Sequence, residues 1–153
     1  MGFLEILLLS LIPTLEGRYA IIYGLARGYP LHEALLASVL GVFILSIILP
    51  KILPFIDVIV AKLEGSKLNS LARLYLIYVN RARRKAKPYV EKWGFIGLMI
   101  FVAIPLPGTG VWTGAIASYI LGIREKTAIP ALLLGGLVSI VLTMLPTIGY
   151  LKI

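Results

Sequence analysis

The chain has no cysteine and a single histidine, His32, among its 153 residues. The missing cysteine excludes disulfides, thiolate nucleophiles and thiol-ligated metals. His32 stands beside Glu33 at the start of an apolar run, which reads as an interfacial residue rather than a ligand. No nucleophile–base pair and no cluster of metal-ligating side chains lies within the apolar stretches. The expectation is therefore a protein that is not an enzyme and has no cofactor and no metal. Charge is scarce too: 14% of residues are charged and 59% are hydrophobic, whereas a soluble domain carries about 25% charged residues. The mean hydropathy is +0.98. The apolar run at the N-terminus lacks a basic leader and ends in Pro13 and Glu16 instead of a small-residue cleavage site. No signal peptide is expected, and Ile6 argues against myristoylation of Gly2.

What the chain does have is long uncharged stretches, over 34–50, 93–123 and 127–151. About 20 apolar residues of helix cross a hydrocarbon core of roughly 30 Å. The fold class expected is an all-α integral membrane protein, one membrane domain over 1–153. The remaining charge divides that domain. Ten of the fifteen Lys and Arg residues lie between Lys51 and Lys92, against three acidic residues. This separates a first repeat (1–50), a basic linker (51–92) and a second repeat (93–153).

The repeats are suggested by self-similarity. A shift of 94 positions pairs Pro13 with Pro107, Gly28 with Gly122, Ala34 with Ala128, Ala37 with Ala131 and Gly41 with Gly135. Each copy contains an apolar run, a break, a second apolar run, a short polar loop and one long apolar helix. The breaks are Pro13-Thr14-Leu15-Glu16-Gly17-Arg18 and Pro105-Leu106-Pro107-Gly108-Thr109-Gly110. Proline removes a backbone donor and glycine permits φ > 0, so both segments interrupt helix. The arms of the first break reach only about 15 Å as helix, half of the core. Each break is therefore either a re-entrant hairpin of inverted topology or one broken spanning helix. Paired interruptions in corresponding positions point to a transport site.

The linker reads as an amphipathic helix from Ser66 to Pro88. Leu68, Leu71, Leu74, Tyr75, Tyr78, Val79 and Ala82 line one face, and Arg81, Arg83, Arg84 and Lys85 end it in a basic cluster. Such a helix suits the anionic cytoplasmic leaflet, which also sets a multi-pass orientation in the cytoplasmic membrane. Without a soluble reading domain the basic charge does not indicate nucleic acid.

Glu16 and Arg18 stand in the first break, where each charge costs at least about 2.5 kcal/mol by insertion scales, and are the leading site residues. In the second break Pro107, Gly108, Thr109 and Gly110 offer backbone N–H groups at a restarting helix, with Trp112 beside them. Pro13, Gly17 and Pro105 act as helix breakers. Gly24–Gly28 and Gly110–Gly114 are small-xxx-small spacings that suit close packing, including that of a homo-oligomer.

Glu16-Gly-Arg18-Tyr-Ala-Ile and Pro105-Leu-Pro-Gly-Thr-Gly-Val-Trp-Thr-Gly114 together resemble the family of putative small multidrug export proteins, over essentially the whole chain. More distantly the chain is similar to the DedA-type, SNARE-associated-Golgi superfamily. That resemblance implies two inverted re-entrant-hairpin repeats and, for some members, movement of polyprenyl phosphate or phospholipid. The second hairpin departs from the superfamily, with Ala103 where an arginine is usual. The function expected is alternating-access transport of an amphiphilic anion such as a lipid phosphate, with Arg18 as the attracting cation and Glu16 as the coupling carboxylate. The alternatives are export of amphiphilic cations with Glu16 as counter-charge, and a non-transporting membrane organiser.

Overall fold

The computed structural model describes residues 2–63 and 69–151. The expected helix start at Ser66, with Leu68 on its apolar face, lies outside the described residues. Those residues form six helices: α1 (Gly2–Leu11), α2 (Glu16–Ala26), α3 (Leu31–Leu63), α4 (Asn69–Ala103), α5 (Val111–Ile120) and α6 (Glu125–Leu151). Among the described residues, α3 and α6 are the two helices long and apolar enough to cross a membrane.

The helices on either side of each break fold back on one another. Tyr23 of α2 donates a hydrogen bond to Glu5 of α1, and Gly24 lies against the side chain of Ile6. In the second half Gly114 of α5 lies against Val102 and Leu98 of α4.

The local geometry recurs at the 94-residue shift. Positive φ occurs at Thr14 (82°) and Gly108 (79°), at Glu16 (48°) and Gly110 (116°), and at Gly28 (79°) and Gly122 (71°). Gly28 and Gly122 end α2 and α5 in the same way, with the next residue's N–H donating back to Gly24 and Ser118 respectively. The matched small residues are the packing face. Ala34 and Ala37 on α3, and Ala128 and Ala131 on α6, are all buried. A Cβ at Gly41 would meet Ser10 of α1, and one at Gly135 would meet the Met99 carbonyl of α4. Each long helix is thus approached closely by the first arm of its own hairpin. Elsewhere on the two helices Leu36, Phe43, Leu134 and Leu145 are exposed, as expected of helices that meet lipid rather than water.

Within the linker the described residues are helical. Helix α3 does not stop at Pro50 but continues through Pro54 to Leu63, about 50 Å at 1.5 Å per residue. The basic helix ends at Gly94, whose backbone is not helical (φ 53°, ψ −122°), and a second helical segment of α4 runs from there to Ala103. Beyond the bend the chain doubles back: Gly97 lies against the Tyr89 carbonyl, and the rings of Tyr89 and Phe101 stand 5.8 Å apart. On the basic helix the apolar positions divide between buried and exposed. Ala72, Ala82 and Ala86 are buried, while Leu71 and Leu74 are exposed. Small side chains let the helix lie close to the hairpin formed by the end of α4 and α5, and the bulkier leucines are left outside that contact.

Candidate functional site

The two breaks meet. Glu16 and Arg18, each 3% exposed, project from the start of α2 into the turn between α4 and α5. Glu16 holds a left-handed backbone (φ 48°) that non-glycine residues rarely adopt. This aims its carboxylate at the first N–H groups of α5: Oε2 accepts from Val111 at 3.0 Å and Oε1 from Trp112 at 3.1 Å. These donors have no partner within their own helix, and a carboxylate there also complements the helix dipole. Glu16 is in effect the N-terminal cap of α5, supplied from the other half of the chain. No side chain of Gly110 takes that role, and a Cβ on Gly110 would collide with Glu16 Oε2.

Arg18 completes the opposite end of the same turn. Its Nη1 donates to the Ile104 carbonyl at 3.1 Å and to Thr109 Oγ1 at 3.0 Å, and Nη2 donates to the Thr109 carbonyl. Thr109 Oγ1 in turn lies within donating reach of the Ile104 and Leu106 carbonyls, at 2.5 and 2.7 Å. The planar guanidinium suits several acceptors at once, and here they are the Ile104 carbonyl just past α4 and the hydroxyl and carbonyl of Thr109 just before α5. Arg18 Nε stands 3.9 Å from Glu16 Oε2, and the guanidinium carbon lies 5.1 Å from the centre of the Tyr19 ring. The charged pair is satisfied almost wholly by backbone of the second half.

Trp112 makes the reciprocal contact: its indole Nε1 donates to the Leu11 carbonyl, the last of α1, at 3.1 Å. Residues 18 and 112 are related by the same 94-position shift and do the same work with unlike side chains. In this structure the Trp112 indole N–H is engaged with α1, and the first N–H groups of α5 are engaged by Glu16.

A cavity of about 350 Å³ adjoins this junction, lined by Glu16, Arg18, Pro107, Gly108 and Thr109, and also by Thr14, Leu15, Tyr19, Tyr78 and Thr113. A second, of about 240 Å³, shares Tyr78, Pro107, Gly108 and Thr113 with it and adds Arg81, Ala82 and Lys85. Lys85 reaches over Gly108 to donate to the Pro107 carbonyl at 3.2 Å, and the Tyr78 hydroxyl meets Thr113 Oγ1 at 2.9 Å. Two of the four basic linker residues, Arg81 and Lys85, thus belong to the site, whereas Arg83 and Arg84 are exposed and do not line it. Gly17 is buried against Ser38 and Val42 of α3, Pro13 is exposed in the first turn and Pro105 is half-buried in the second. Tyr78 and Thr113 are site residues that the sequence does not single out. Tyr78 sits at apolar helical spacing and reads there as packing. Among the described residues no group of three or more His, Cys, Asp or Glu is placed to hold a metal.

Among known proteins, no curated relative and no solved structure matches the chain significantly. The distant superfamily resemblance is not shown by these comparisons. A family model does match, over residues 16–142, from the charged pair of the first break to the middle of α6. Together with the two long apolar helices it indicates a membrane location, and the chain belongs to the family described as "Putative small multi-drug export protein".

Proposed function

We propose that this export protein binds its cargo in the cavity where the two breaks meet, and that the cargo is an amphiphilic anion, with a lipid phosphate as one form. The observation that carries this reading is the engagement of Glu16. Both of its oxygens accept backbone N–H groups, and Arg18 stands beside it. The pair is neutral as a unit, so the net charge of the joined cavities is that of Arg81 and Lys85. Apolar and aromatic walls beside those two cations suit a molecule with a negative head and a greasy body. A cationic drug bound at Glu16 would have to displace the cap of α5.

In this reading the two halves are inverted repeats, and each fold-back is a re-entrant hairpin whose tip lies at membrane depth. The recurrence of positive φ and helix ends at one shift supports it, as does the rule that irregular backbone at that depth must be enclosed by protein or a watery cavity. Alternating access then consists of parting the two tips, and protonation of Glu16 weakens their main connection and couples the movement to a proton. The basic end of the linker lies on the cytoplasmic side, where Arg83 and Arg84 meet anionic lipid.

The test is uptake of a fluorescent medium-chain alkyl phosphate, and of a lipophilic cation, into proteoliposomes. The double change Arg81→Gln, Lys85→Gln should lower subsaturating anion uptake at least about tenfold, since two charges near a poorly screened site are removed. Uptake of the cation alone, unaffected by the double change, would overturn the anionic reading.

A further inference from the structure

A separate cavity of about 330 Å³ lies on the first hairpin, lined by Glu5, Leu9, Leu15, Tyr19, Ala20 and Tyr23. It shares Leu15 and Tyr19 with the central cavity but contains neither Glu16 nor Arg18. We infer that this is a second binding site, specific for an amphiphilic cation, with Glu5 as its counter-charge. The inference goes beyond the anionic reading of the central cavity and does not depend on it.

The arrangement at Glu5 is built rather than incidental. Two phenols from different segments converge on the carboxylate: Tyr23 of α2 donates to Oε1, and Tyr29, in the loop before α3, donates to Oε2 at 2.7 Å. A carboxylate oxygen has two lone-pair sites, so each retains acceptor capacity. The hydroxyls orient the group without neutralising it, and among the described residues no basic group forms an ion pair with it. Arg27 is the described cation whose field reaches it. Contrast Glu16, whose charge is paired with Arg18 and turned into protein backbone. The remaining walls are aliphatic apart from two rings. Tyr19 carries the Arg18 guanidinium over it, which leaves Tyr23 as the ring beside the carboxylate for cation–π attraction. A fixed negative charge, an aromatic ring and greasy walls are the complement of a quaternary onium ion with apolar substituents.

The experiment is equilibrium binding of tetraphenylphosphonium to the full chain in nanodiscs, with empty nanodiscs as reference. Tetraphenylborate, of the same shape and opposite charge, is the control. The parent should bind the cation saturably and prefer it to the borate. Glu5→Gln should weaken that binding at least about tenfold, and Arg27→Gln should tighten it by removing a competing cation. Leu9→Trp, which fills the cavity without altering charge, should abolish it, and Glu91→Gln on the exposed surface of α4 should leave it unchanged. If Glu5→Gln does not fold, Leu9→Trp and Tyr23→Leu carry the test. Cation binding no greater than to empty nanodiscs, equal affinity for the two ions, or parent-like affinity in the Glu5 and Leu9 variants would overturn the inference. Because binding is read rather than uptake, such a result leaves the anion-transport reading standing, and failed anion uptake leaves this site untouched.

Discussion

Replacing Gly110 by alanine should damage the protein far more than the same replacement at Gly122, although both glycines hold positive φ. Gly122, at φ 71°, has nothing within 4 Å of an added Cβ, so only the left-handed backbone is penalised, by about 1–2 kcal/mol. Gly110 holds φ 116° and ψ −172°, a region populated almost only by glycine, and strain of that kind costs about 1–3 kcal/mol. Its Cβ would also collide with Glu16 Oε2 and stand 2.8 Å from Arg18 Nη2. The carboxylate must then leave Val111 or Trp112, and a hydrogen bond to a charged group contributes about 1.5–3 kcal/mol. The sum is roughly 2.5–6 kcal/mol, a large part of the total of about 5–15 kcal/mol that holds a typical domain together. Unfolding of both variants in mixed micelles with increasing dodecyl sulfate should place Gly110→Ala roughly 1–4 kcal/mol below Gly122→Ala. Hydrogen exchange should show faster loss at the Val111 and Trp112 amides in Gly110→Ala alone. Equal stability of the two variants, with those amides still protected, would refute the description of Glu16 as the cap of α5.

Two further outcomes follow from the same geometry. Trp112→Phe keeps an aromatic ring but removes the donor to the Leu11 carbonyl, and should lower stability by about 0.5–1.5 kcal/mol in the same titration; no loss would mean that the indole bond does not tie the halves together. With no native cysteine in the chain, single cysteines at His32, Arg84 and Glu125 report sidedness to an impermeant maleimide. Inverted re-entrant hairpins require Glu125→Cys to react from the same side as Arg84→Cys and His32→Cys from the other, whereas Glu125→Cys reacting with His32→Cys would return the chain to four full spans.

Much of the architecture is legible in the order of residues. Uncharged stretches, two Pro- and Gly-containing breaks and small residues matched at one shift are local properties of the chain, and each constrains backbone or burial directly. Ala34, Ala37 and Gly41 pair with Ala128, Ala131 and Gly135 in the sequence and do form the buried faces of α3 and α6. The two ends of the linker differ in this respect. Charge changes abruptly near residues 50 and 92; α3 runs on past Pro50 to Leu63, whereas the basic helix breaks at Gly94, two residues past Lys92. Gly94 takes a positive φ there, with nothing close enough to meet a side chain.

The sequence alone determined that two charges stand in an apolar break and that a second, uncharged break answers it. What those charges do depends on the folded arrangement of the two halves. Their partners lie 86 to 96 residues away and are mostly backbone atoms, and no pattern of side chains encodes a free carbonyl or an uncapped N–H. The correspondence of Arg18 with Trp112 is hidden for the same reason. A guanidinium and an indole share no chemistry in a sequence comparison except a nitrogen that donates, and each becomes equivalent only when the other half presents the end of a helix to it.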